Sequence, residues 1–89
     1  MAQSLALKAA EFLRELAWEL EEKNAAYGNS AGNPIRVHSN AGIVDGLLIR
    51  ADDKLSRMVR GKKHGEHPAK DYIGYLALAI AAGWKGERR

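Results

Sequence analysis

The stretch PAKDYIGYLALAIAAG, Pro68–Gly83, carries only two charged residues, Lys70 and Asp71, both near its start. Proline suits a first helical position, where its missing N–H would have no intrahelical partner. Alanine and leucine fill the body of the run, and both favour helix. Gly83 closes it where a helix commonly stops. The pattern predicts a helix over about 68–83, apolar on most sides. Such a helix belongs either at the centre of a helical fold or against another subunit.

Two further helices follow from the spacing of apolar residues. In the first, Leu5, Ala9, Phe12, Leu16, Leu20 and Tyr27 recur at helical intervals. Ser4 offers a hydroxyl to cap its first turn, and Gly28 ends it where a left-handed residue is cheap for glycine. In the second, Ile43, Val44, Leu47, Leu48, Ala51, Leu55, Met58 and Val59 form the apolar stripe. This helix is expected to begin near Ser39 or Asn40 and to stop at Gly61. Residues 28–40, GNSAGNPIRVHSN, read as loop, and Pro34 biases Asn33 away from helix. A loop of this length is long for a small domain, and long loops are often functional. No segment alternates long enough to be a strand. The expected fold is all-α, a small bundle of three main helices at about 4–27, 40–60 and 68–83. The 28–40 loop has room for a short extra helix.

The chain has 89 residues, which fits one helical domain over 1–89. It has no cysteine, hence no disulfide framework and no thiolate metal site. The longest weakly polar run, Tyr72 to Trp84, is 13 residues, against roughly 20 needed to span a bilayer. Charges at Glu11, Arg14 and Glu15 break up the N-terminal apolar residues, unlike a signal peptide. The expectation is a cytoplasmic protein with no membrane partner. The net charge of +3, from 14 basic and 11 acidic residues, is mild. It suits nucleotide phosphates or plain solvent. No helix is enriched in the Arg, Asn and Gln that base reading needs, so nucleic acid is not an expected partner.

The acids form a distinct pattern on each helix. Glu11, Glu15, Glu19 and Glu22 fall on one stripe that flanks the apolar face of the first helix. Glu19 and Glu22 are three apart, so both carboxylates can reach one point. Mg²⁺ takes such oxygens and keeps waters that a phosphate can share. A solvated glutamate face is the commoner meaning of the same pattern. On the second helix Asp53 and Arg57 are spaced i, i+4, worth a few tenths of a kcal/mol when exposed. Ile49 beside Asp53 hints that this side is covered. On the third, Asp71, Gly74, Tyr75 and Leu78 share a stripe. Gly74 costs about 1 kcal/mol relative to Ala inside a helix, which points to close approach of another helix or a ligand. Asp71 alone is equally a first-turn acid facing the helix dipole. His67 and Asp71 have metal-compatible spacing, but a histidine before Pro68 is more often a cap. No nucleophile and base are arrayed for covalent catalysis, since His38 and Ser39 adjoin without an orienting acid, and no Walker-type loop occurs. The available chemistry is attack by water assisted by a carboxylate-held metal.

Three stretches in order, EEKNAAYGN, RADDKLSRM and EHPAKDYIGYLALA, resemble the nucleotide modification associated domain 1 family. These are small proteins frequent in bacteriophages and related to the MazG-like, all-α nucleoside triphosphate pyrophosphatases. The resemblance covers about Glu19 to Ala82. It implies a helical bundle whose acids hold Mg²⁺, or Mn²⁺ as an alternative, against the phosphates of a nucleotide. By this resemblance Glu19, Glu22, Asp53 and Asp71 are the metal ligands, and Glu19, Glu22 and Asp53 carry the catalysis. Lys54, Arg57 and Lys62 meet the phosphates, while Tyr27, Gly28, Glu66, Gly74 and Tyr75 complete the motif. The chain departs from the pattern at Ala26, where a polar residue is expected, and at His67, where an acid is. Losing a carboxylate weakens Mg²⁺ binding or shifts it toward an ion that accepts imidazole.

Two expectations result. The first is a Mg²⁺-dependent pyrophosphohydrolase or binder of a nucleotide, in particular a deoxyribonucleoside triphosphate, active in phage nucleotide or DNA-modification metabolism in the host cytoplasm. The alternative is a helical interaction protein that has lost the chemistry and binds a host protein or itself. The Ala-rich last helix, with more apolar surface than three helices can bury, predicts a homo-oligomer in either case.

Overall fold

A computed structural model describes residues 4–26, 28, 32, 41–61 and 67–87. It holds three helices, α1 (Leu5–Ala26), α2 (Ile43–Arg60) and α3 (Pro68–Ala81), and no strand among the described residues. The chain is therefore all-α, as its periodicity indicates. The place of the expected extra helix, together with Tyr27, Lys62 and Glu66, lies outside the described residues.

The helix ends follow from local chemistry. The backbone N–H of Leu7 donates to Ser4 Oγ at 3.2 Å, satisfying one of the exposed donors of the first turn of α1. Gly28 follows α1 at φ +62°, a left-handed conformation that favours glycine. Helix α2 begins at Ile43, later than the sequence predicts, and Ser39 and Asn40 lie outside the described residues. Gly42, which has no side chain, stands at its N-cap. Gly42, extended at ψ 171°, accepts through its carbonyl from Gly46 N–H at 2.9 Å. Asp45 supplies negative charge to the first turn, and Gly61 ends the helix at φ +71°. His67 caps α3 through Nδ1, which accepts from Lys70 N–H at 3.0 Å. At the other end, Trp84 N–H donates to Ala79 O at 2.9 Å and Gly83 N–H to Ile80 O at 3.0 Å. This pair of bonds, with Gly83 at φ +112°, is a Schellman closure. It stops α3 at Ala81, two residues short of the predicted end.

Helix α3 is the shared element. It packs along α2 and is crossed by α1, whereas α1 and α2 do not pack against each other. The buried apolar side chains are Leu16, Leu47, Ala51 and Ala79, joined by Pro68 and Gly74 on α3. Among the described residues no large side chain is completely buried. Because α1 and α2 do not pack against each other, the helices form an open arrangement around α3.

Gly74 sits where α1 crosses. A Cβ built there would lie 3.7 Å from Leu16 Cδ1 and 3.8 Å from Leu20 Cδ2, ordinary van der Waals contact. Another helix does approach, as the sequence predicts, but it leaves room for a methyl group. Gly74→Ala should therefore raise stability by about 0.5–1 kcal/mol through helix propensity and chain entropy. Gly74→Leu should instead lower it by wedging α1 away. Urea unfolding of both variants checks the sign of each change.

Candidate functional site

The two outer helices leave a cleft over α3. Leu16, Leu20, Lys23 and Asn24 form one wall and Ile43, Leu47 and Arg50 the other. Lys70, Asp71, Gly74, Tyr75 and Leu78 of α3 form its floor. Its volume is about 610 Å³, within the roughly 300–1,000 Å³ of small-molecule sites. The cleft exists because α1 and α2 touch α3 but not each other. Its apolar lining is continuous with the small core through Leu16 and Leu47, and Glu21, Lys23, Arg50, Lys70 and Asp71 supply its charges.

Three of the acids singled out in the sequence, Glu19, Asp53 and Asp71, stand beside cations. Lys70 Nζ donates to Glu19 Oε1, joining α3 to α1. Lys54 Nζ lies 3.2 Å from Asp71 Oδ2, joining α2 to α3. Arg57 Nη2 lies 3.1 Å from Asp53 Oδ2 within α2, the i, i+4 pair that the spacing predicts. Glu22 is exposed on α1. Among the described residues no three acidic or histidine side chains come together closely enough to hold a metal ion. The structure brings Asp71, Gly74 and Tyr75 to one cleft floor and sets Asp53 on the outer side of α2, its side chain 57% exposed. Ile49, expected to be covered beside Asp53, is 59% exposed. Tyr27, Lys62 and Glu66 lie outside the described residues, and Gly28 serves as a left-handed turn.

His67 stands where the resemblance expects an acid. Its Nδ1 is used in capping α3, and its ring lies 6.4 Å from that of Phe12 at an interplanar angle of 40°. This is the cap role that its place before Pro68 allows. One participant is not evident from the sequence. Lys70, the partner of Glu19, carries no local signal beyond its place in the first turn of α3.

Comparison with protein-family models, curated proteins and solved structures returned no match. Among the described residues no helix is long and apolar enough to cross a membrane.

The ion pairs differ in exposure, and their contributions should differ accordingly. The Lys54 and Asp71 side chains are 14% and 29% exposed. Asp71→Asn removes a negative charge from beside a largely desolvated ammonium group and should cost about 1–3 kcal/mol. Asp53→Asn breaks an exposed pair and should cost no more than about 0.5 kcal/mol. Denaturant midpoints of the two variants, measured side by side, give the order. Equal losses would mean that the Lys54–Asp71 pair is as weak as a surface pair.

Proposed function

We propose that this protein works by association, as a small helical interaction module that forms homo-oligomers. The observation that supports this reading is the apolar surface left on all three helices. Trp18 is 63% exposed, Val59 80% and Ile80 58%, with Leu5, Leu13 and Ile49 also exposed. A monomer of this kind leaves large side chains in water on every helix, and burial of each is worth about 1.5–3 kcal/mol. The cation-paired carboxylates agree with it, because they are satisfied within the fold without a ligand. Light scattering on the intact chain at micromolar concentration should give the mass of a dimer or a larger oligomer. A monomer's mass across that range would defeat the reading.

The cleft supports a second reading, nucleotide binding or pyrophosphohydrolysis of the MazG-like kind with Mg²⁺ or Mn²⁺. Its volume suits a small ligand, and Lys23, Arg50 and Lys70 line it together with the acids Glu21 and Asp71. In this reading Glu19, Glu22, Asp53 and Asp71, which do not converge in the structure, would have to come together on the metal, which supplies a polarised phosphate and an activated water when bound. Lys70, Lys54 and Arg57 occupy three of those carboxylates. A metal would have to displace these cations, and the freed lysines could then turn to the phosphates. The setting would be the cytoplasm, and the host cytoplasm for a phage-encoded chain. Metal that binds only the folded chain stabilises it by mass action. Under this reading, millimolar Mg²⁺ with a deoxyribonucleoside triphosphate raises the melting temperature by several degrees and releases pyrophosphate. Under the association reading alone, neither occurs.

A further inference from the structure

His67 has two contacts in the fold. Its Nδ1 accepts from Lys70 N–H at 3.0 Å across the first turn of α3, and its ring lies 6.4 Å from that of Phe12 on α1. A nitrogen that accepts carries no proton, so the capping imidazole is neutral and holds its proton on Nε2. Most helices are capped by the side-chain oxygens of Ser, Thr, Asp or Asn. Those caps keep the same form between pH 5 and pH 8, whereas an imidazole changes charge in that range. An imidazolium has an N–H at both ring positions and cannot accept. It also sets a positive charge against the positive end of the helix dipole.

The turn that His67 caps is the one from which both ties between helices leave. Lys70 reaches Glu19 on α1, and Asp71 pairs with Lys54 on α2. We propose that His67 is a pH-sensitive latch on α3. Neutral, it closes the first turn and keeps both ties in place. Protonated, it opens that turn and loosens α1 and α2 from α3. The latch goes beyond both readings of function and depends on neither. The charges around it do not replace the lost bond. On α3 itself, Lys70 and Asp71 are engaged by Glu19 and Lys54. On α1, Lys8, Glu15 and Glu19 share the stripe of Phe12, and Glu19 is held by Lys70. The last two turns of α2 carry the cations Lys54, Arg57 and Arg60. Among the described residues no carboxylate pairs with the imidazole. Lys62, Lys63, His64 and Glu66 of the preceding connector lie outside the described residues. The folded state thus favours the neutral ring. The cap's contribution is present above the range in which imidazole titrates and is lost as pH falls through it.

Melting temperatures of the intact chain, His67→Asn and His67→Ala at pH 8 and pH 5 test this. Asparagine caps at both pH values and alanine at neither. At pH 8 the wild type should melt about 4–8 °C above His67→Ala, the scale for loss of one cap in a chain of this size. At pH 5 that difference should vanish, and the wild type should fall by a similar amount relative to His67→Asn. His67→Asn also loses the Phe12 contact, so the readout is the change of the gap with pH rather than its size. Every other titrating group, His38 and His64 included, is common to the three proteins. In the wild type the Lys70 amide proton resonance should move with the titration of the ring. Circular dichroism at pH 8 checks that both variants keep their helices. A gap between wild type and His67→Asn that is the same at both pH values overturns the latch. So does a His67→Ala variant as stable as the wild type at pH 8.

Discussion

Lys70 and Asp71 are neighbours in the first turn of α3, and they carry opposite charges. Successive residues on a helix point about 100° apart, so the two reach in different directions. Lys70 meets Glu19 on α1, and Asp71 meets Lys54 on α2. One turn of one helix thereby fixes where each of the other two lies along it. The pairs are partly buried, where desolvation offsets much of the attraction. Their contribution is better understood as position than as stability. Exchange of the two charges would present each outer helix with its own sign and displace both.

Position matters here because the packing beneath is thin. Leu16 and Leu47 are the large apolar side chains buried among the described residues, and Ala51 and Ala79 add little volume. A short chain buries a modest share of its surface in any case. In this fold the share is reduced again, because α1 and α2 each use α3 and neither uses the other. The cleft is the other side of that arrangement. Three mutually packed helices would have filled it with side chains from both walls.

What can be read from the sequence follows the range of the interaction involved. Ser4, Gly28, Gly61 and Pro68 act within a turn of where they stand, so the helix ends they mark are legible. The Asp53–Arg57 pair lies within one helix and is legible for the same reason. The start of α2 is not, because Gly42 serves through its backbone and no side chain announces it. The partners of Glu19 and Asp71 are not legible either. Periodicity gives the face on which an acid stands, but not which residue of another helix is set opposite. That depends on how far one helix has slid along its neighbour, which the packing around Gly74 and Ala79 decides. Gly74 itself signals close approach through its helix-propensity cost. The residues that approach it, Leu16 and Leu20, are visible in the sequence only as members of a stripe.

The lack of packing between α1 and α2 also shapes the order in which the fold can assemble. Helices α2 and α3 are separated by few residues, so bringing them together closes a short loop at small entropic cost. The tie between Glu19 and Lys70 spans 51 positions and needs α3 to be in place first. Local contacts form quickly and distant ones slowly. The α2–α3 hairpin is accordingly the early unit, and α1 is a late addition attached at one crossing. In the finished protein the sequence reverses: α1 can lift away while the hairpin stays closed, which makes its amides the first of the three helices to exchange with solvent.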